Sequence, residues 1–97
     1  MTLQCIWDEN KARLNLRKHR VSFEEASTVF IDPLACIFDD EDHSQEEHRE
    51  ILIGYSVIDH LLIVSFTELE DNHIRIISAR RATKKEHKAY EEDREIS

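Results

Sequence analysis

One glycine, one proline and two cysteines are all that the 97-residue chain holds of these types. A lone glycine excludes the glycine-rich loops that cradle nucleotide phosphates, which need several positions without a Cβ. With the lone proline it also excludes collagen-like repeats, low-complexity segments and long flexible linkers. Cys5 and Cys36 allow one bridge at most. Neither sits in a metal or nucleophile motif, and both are expected to be reduced and half-buried. No apolar run approaches the roughly 20 residues that cross a bilayer. The stretch Met1 to Cys5 lacks a charged-then-apolar leader. The expected compartment is therefore the cytoplasm, with no membrane partner.

Hydrophobic residues at 40% and charged residues at 35% suit an ordered, well-ionised domain. The whole chain, 1–97, is read as one domain without an internal repeat. Its net charge of −8 argues against an anionic partner, but the charge is unevenly placed. Residues 1–22 carry +3, residues 23–72 carry −13 with Arg49 as their only cation, and residues 73–97 carry +2. A fold that brings the two ends together can still build a local positive patch.

Asp8 follows the short strand-like Ile6-Trp7 and can cap a helix over 9–19. Ala12, Leu16 and His19 then form its expected inner stripe. Ser22 and Glu25 have capping-box spacing, with Val21 and Ala26 as a hydrophobic staple. They open a second helix over 23–31 that presents Phe23, Ala26, Ser27 and Phe30 on one face, with small Ser27 at a close helix–sheet contact. Asp32-Pro33 ends it, because the residue before a proline is pushed out of the α region. The period then changes to strands at 34–38, 51–57, 61–67 and 74–79, joined by polar turns. Thr83 and Glu86 repeat the capping-box spacing before a last helix over 84–95. The expected fold is α+β: an antiparallel meander with all three helices on one face.

Three constellations bear on chemistry. Asp39 to Glu50 gathers seven acids with His43 and His48, but without the spacing of a known metal motif. It reads as a solvated acidic loop, and no metal or cofactor is expected. Neither cysteine has the local motif of a nucleophile. Arg75, Arg80, Arg81, Lys84 and Lys85 cluster where the last strand meets the last helix. Guanidinium forks beside a helix N-terminus suit phosphate. One geometric condition applies: Arg75 and Arg80 differ by an odd number, so they share a face only if a bulge intervenes or Arg80 lies past the strand end.

The chain resembles the BrnT family of toxins from bacterial type II toxin–antitoxin systems. The resemblance is carried by Trp7-Asp8, Lys11-Ala12, Asn15, Lys18-His19 and Val21 to Ala26. It continues through Phe30 to Pro33, His43-Ser44, Ile53 to Ser56, Ile74 to Arg80, Ala82-Thr83, Glu86 and Tyr90. It implies a RelE-like fold, metal-independent endoribonuclease activity that arrests translation, and a BrnA-like ribbon–helix–helix antitoxin through which DNA is contacted only indirectly. It also implies a site of His19, Glu68, Arg75 and Arg80 with Lys18 against RNA, and the basic cluster adds Arg81 and Lys84 as expected RNA contacts. His19 or Glu68 would be the base, and the arginines would stabilise the phosphorane. An antitoxin covering that site would bring Asp or Glu to Arg75, Arg80 and Lys84, leaving the acidic loop free. Two positions depart from the family pattern: Arg20 stands where glycine is frequent, and Leu69 where arginine follows Thr-Glu. The second departure keeps another class open, a barely active relative that works as an antitoxin-binding module.

Overall fold

The computed structural model describes residues 3–41 and 47–96. The elements run β1 (Gln4–Ile6), α1 (Glu9–His19), α2 (Phe23–Thr28) continued by a 3-10 turn (Val29–Ile31), β2 (Cys36–Asp39), β3 (Glu50–Tyr55), β4 (Leu61–Glu68), β5 (His73–Arg81) and α3 (Lys84–Ile96). The strands form one sheet in the order β1-β5-β4-β3-β2. From β2 to β5 it is the expected antiparallel meander. β1 corrects the rest, since it lies parallel to β5 with Cys5 opposite Ile74. Cys5 and Cys36 are therefore on opposite edges, four strand spacings or about 19 Å apart, and both are free and half-buried. That is far beyond disulfide reach.

Local chemistry explains the boundaries. Asp8 Oδ1 accepts from Asn10 N at 2.8 Å and Lys11 N at 3.2 Å, starting α1. Arg20 ends it in the left-handed region at φ 60°, donating its N–H to the Leu16 carbonyl. Ser22 Oγ accepts from Glu25 N at 3.0 Å, but the reverse half of that box is missing. Glu25 Oε2 instead accepts from Ser56 Oγ at 2.7 Å and meets His60 Nδ1 at 2.9 Å, tying α2 to the β3–β4 turn. Thr83 and Glu86 do make both halves, at 3.1 and 2.8 Å. Asp71 and Asn72 both have positive φ in the β4–β5 turn, as a tight hairpin of right-twisted strands requires.

The core lies between α1, α2 and one sheet face. Val21, Phe23, Ala26 and Val29 meet Leu52, Leu62, Val64, Phe66, Ile74, Ile76 and Ala79 there. Ser27 stays half-exposed, its hydroxyl turned back to the Glu24 carbonyl. Gly54 is where the layers touch most closely. A Cβ there would lie 2.7 Å from Ala35 Cβ and 3.0 Å from both Asp32 Oδ2 and Val29 Cγ1.

Two expectations fail in the helices. Leu16 is 48% exposed, and Asn15 takes its place at 7%. Asn15 Nδ2 donates to the carbonyls of Val21 (3.0 Å) and Ala79 (2.8 Å), while Oδ1 accepts from Ala79 N at 3.1 Å. β1 stops at the level of Arg75, so this amide continues it as a one-residue strand along β5. The second failure is the one-face arrangement. Gly54 faces α2 and its 3-10 turn, so Tyr55 points to the opposite face. There it meets His87, Tyr90 and Glu91 of α3. α3 thus crosses the face that α1 and α2 leave open.

Candidate nucleic-acid interface

The pairing of β5 with β4 decides the site. Ser65 opposes Ser78 while Phe66 opposes Ile76, so Ile77 is an extra residue in β5. Such a bulge shifts the alternation by one. Before it, Arg75 opposes Thr67; after it, Ser78 opposes Ser65 and Arg80 opposes Ile63. Thr67, Ser65 and Ile63 share a face of β4, so Arg75, Ser78 and Arg80 share the open face despite their odd separation. Arg81 opposes Leu62 and takes the helix side instead. It does not join Arg80.

Both arginines are held by carboxylates. Arg80 grips Glu86 with two parallel bonds at 2.8 and 2.9 Å. The hydrogen bond from Arg80, with those from Thr83, lowers the Glu86 pKa to about 2. The same hydrogen bond raises that of Arg80 against partial burial. Arg75 pairs with Glu47. The acidic segment, read from the sequence as a solvated loop, therefore reaches the basic strand at Glu47. The residues at 42–46, including His43 and Glu46, lie outside those described.

Lys18 and His19 reach β5 from its outer edge. With Lys11, Leu14 and Asn15 they line a shallow depression of about 200 Å³ whose strand wall is Ile77 and Ser78. Ser78 lies between Arg75 and Arg80 on the strand, but neither arginine lines this depression. Lys84 and Lys85 are exposed in the first turn of α3. Glu68 is not brought in. It opposes Ile74 and lines a cavity with Leu3, Phe30, Leu52 and Phe66 on the helix side. Glu68 lies close enough to Glu50 to matter: the Glu50 pKa is raised by burial first and by Glu68 next, with His48 lowering it and Asp39 adding a smaller rise.

Asp39, His48 and Glu50 can place three ligand atoms within 4.8 Å of one another. His48 Nε2 is already 3.1 Å from Asp39 Oδ1, and both side chains are well exposed. A solvent-exposed hydrogen bond accounts for that contact.

Two groups went unnoticed among the sequence candidates. Asn15 anchors the helix that carries Lys18 and His19. Beside its place in the family resemblance, its sequence signal is the spacing of Ala12, Asn15 and His19, which serves a helix stripe as well as Leu16 does. The other group is Tyr55 with His87 and Glu91, where the two α3 residues have i, i+4 spacing.

Fold and site define a small α+β domain in which one bulge aligns two carboxylate-paired arginines on a strand face. A family model described as the ribonuclease toxin BrnT of type II toxin–antitoxin systems matches residues 7–86, and the chain belongs to this family. The crystal structure of the Brucella abortus ribonuclease toxin BrnT is similar at a TM-score of 0.66 and 25% identity, over 86% of this chain and 100% of that one. No curated protein matches the sequence.

Proposed function

We propose that this protein, acting as one domain over residues 1–97 in the cytoplasm, is a metal-independent endoribonuclease toxin restrained by a BrnA-like ribbon–helix–helix antitoxin. The observation that carries the reading is the Ile77 bulge. It aligns Arg75, Ser78 and Arg80 on one face, and His19 shares a depression with Ser78 at the strand edge. An RNA phosphodiester over Ser78 would have guanidinium groups on either side for the developing phosphorane charge. His19 then takes the 2′-hydroxyl proton, a role for which Glu68 is on the wrong face. Lys18 and Lys84 hold flanking phosphates. In support of the compartment, no helix among the described residues is long and apolar enough to cross a membrane.

The test is cleavage of total RNA by purified protein in the presence of EDTA, together with growth arrest on induction without antitoxin. Arg80→Ala should relieve both. Loss of cleavage in EDTA that added magnesium restores refutes metal independence, and unaffected growth refutes the toxin reading.

One observation favours a second reading. Arg75 and Arg80 are each paired with a carboxylate, and Leu69 stands where the family pattern often places a further arginine. A barely active protein that tunes its operon by binding antitoxin would show tight association with the neighbouring gene's product and no RNA cleavage.

A further inference from the structure

We propose that the depression between α1 and β5 is a subsite for one unpaired nucleotide of RNA, its base between Leu14 and Ile77 and its flanking phosphates on Lys11 and Lys18. This rests on the ribonuclease reading above and names the nucleotide that His19 would meet.

Charge is the first support. α1 carries Lys11, Arg13, Arg17 and Lys18 against Glu9 alone. Arg75 and Arg80 are held by Glu47 and Glu86, so a phosphate reaching either must compete with a carboxylate. Lys11 and Lys18 are different. Both are exposed, and among the described residues neither ammonium group meets a carboxylate. No described acidic side chain lines the depression. An incoming phosphate takes these two cations without displacing anything.

Shape is the second. Lys11, Leu14 and Lys18 stand at i, i+3 and i+7 and share one face of the helix. The lysines are two turns apart, about 10.5 Å along the axis, with Leu14 between them. Ile77 and Ser78 form the facing wall. Ile77 is the extra residue of the bulge, without an opposite number in β4, and bulges re-aim side chains in this way. Leu14 is 62% exposed and Ile77 is half-buried. Two aliphatic walls with a cation at each end suit a flat ring carrying phosphate on both sides, as a nucleotide does within a strand. The volume of about 200 Å³ is below the roughly 300–1,000 Å³ of pockets that enclose a drug-sized molecule. It admits one base, whereas an acidic helix of the antitoxin, roughly 10–12 Å across, does not enter. A paired base stays stacked in its duplex, so the base taken is an unpaired one.

The walls are fixed before RNA arrives. Asn15 ties α1 to both backbone groups of Ala79, at 2.8 and 3.1 Å, which removes an ordering cost from binding. His19 is half-buried in the same depression. A base seated beside it belongs to the nucleotide that offers His19 a 2′-hydroxyl, the one on the 5′ side of the cut. Leu14 and Ile77 carry no hydrogen-bond code, so they read that base by ring size and stacking.

The experiment measures anisotropy of a short, labelled, mixed-sequence 2′-fluoro RNA with the full chain, from low to moderate salt. This probe lacks the 2′-hydroxyl and reports binding without cleavage. Lys11→Gln and Lys18→Gln should each weaken binding and reduce the slope of log K against log salt by about 0.7, one phosphate contact on a single strand. Leu14→Ala should weaken binding about 5-fold with the slope unchanged, and only for single strands, not for a hairpin duplex. Lys88→Gln, on α3 beside Glu92, should alter neither quantity. Equal slopes for the Lys11, Lys18 and Lys88 variants, or full affinity in Leu14→Ala, overturn the subsite even if the protein cuts natural RNA. The same holds if these substitutions weaken only antitoxin binding. Binding with the expected pattern but no cleavage of natural RNA upholds the subsite and overturns the ribonuclease reading. Thermal melts of each variant separate loss of binding from loss of fold.

Discussion

Replacing Asn15 with alanine should destabilise the protein more than any other truncation on α1. The side chain is 7% exposed and makes three hydrogen bonds, to both backbone groups of Ala79 and to the Val21 carbonyl. Truncation leaves one N–H and two C=O groups without that partner, and a buried unsatisfied group costs about 1–3 kcal/mol. Water reaching the widened site offsets part of this, so about 2–4 kcal/mol is expected. For a domain of this size that corresponds to a midpoint lowered by roughly 10–25 °C. Asn15→Asp is the sharper probe because it keeps the shape. It can still accept from Ala79 N, but it turns a carboxylate oxygen toward two carbonyls. Burial beside them raises its folded pKa above the unfolded value near 3.9. Stability in that variant should therefore be best at low pH and lost as pH rises through the raised pKa. Urea unfolding at pH 5 and pH 8 reads this directly. An Asn15→Ala loss under 1 kcal/mol, or an Asn15→Asp variant more stable at pH 8, would refute the bridging role.

Glu86 should make the native protein acid-sensitive. Its pKa is depressed to about 2, so its contribution is complete above the unfolded value of about 4.5 and fades as pH falls toward 2. With the side chain 37% exposed, solvent screening leaves about 1 kcal/mol; Glu86→Gln should flatten that part of the stability–pH curve. Gly54→Val should cost at least about 2 kcal/mol in denaturant unfolding, because even a Cβ meets Ala35 at 2.7 Å. Arg20→Gly should raise stability by roughly 0.5–1 kcal/mol, since φ is 60° there. Lys84→Glu with Lys85→Glu should slow antitoxin association in stopped-flow at low salt, whereas Glu24→Lys should change it little.

The helix starts were legible because capping is local. Asp8, Ser22 and Thr83 each bond within three residues. Glu25 shows where locality ends: its partners Ser56 and His60 are more than thirty positions away, and they outcompete the backbone of its own helix turn. Asn15 was hidden for the same reason, since its Ala79 partner is 64 residues away and periodicity prefers an apolar Leu16. The parity of Arg75 and Arg80 posed a definite question, but a bulge exists only in the pairing of two strands, so the answer lay in β4. Glu68 shows the converse. It is adjacent to Thr67, which opposes Arg75, and that adjacency turns it to the other face. The parallel seat of β1 depends on sheet order, which no segment of the sequence encodes by itself. Family membership was readable because the matching residues run in order through almost the entire chain.

The Asn15 amide also bears on how this sheet could grow. An unpaired strand edge is a template for another chain. On the β1 side the template is three residues long, and beyond it a side chain occupies the backbone of Ala79. On the β2 side, Cys36–Asp39 is an outer strand, with Ile37 and Phe38 more than half exposed. Open-ended fibres need two complementary edges, and among the described residues the β1 edge offers a second copy only three residues before the Asn15 amide interrupts it.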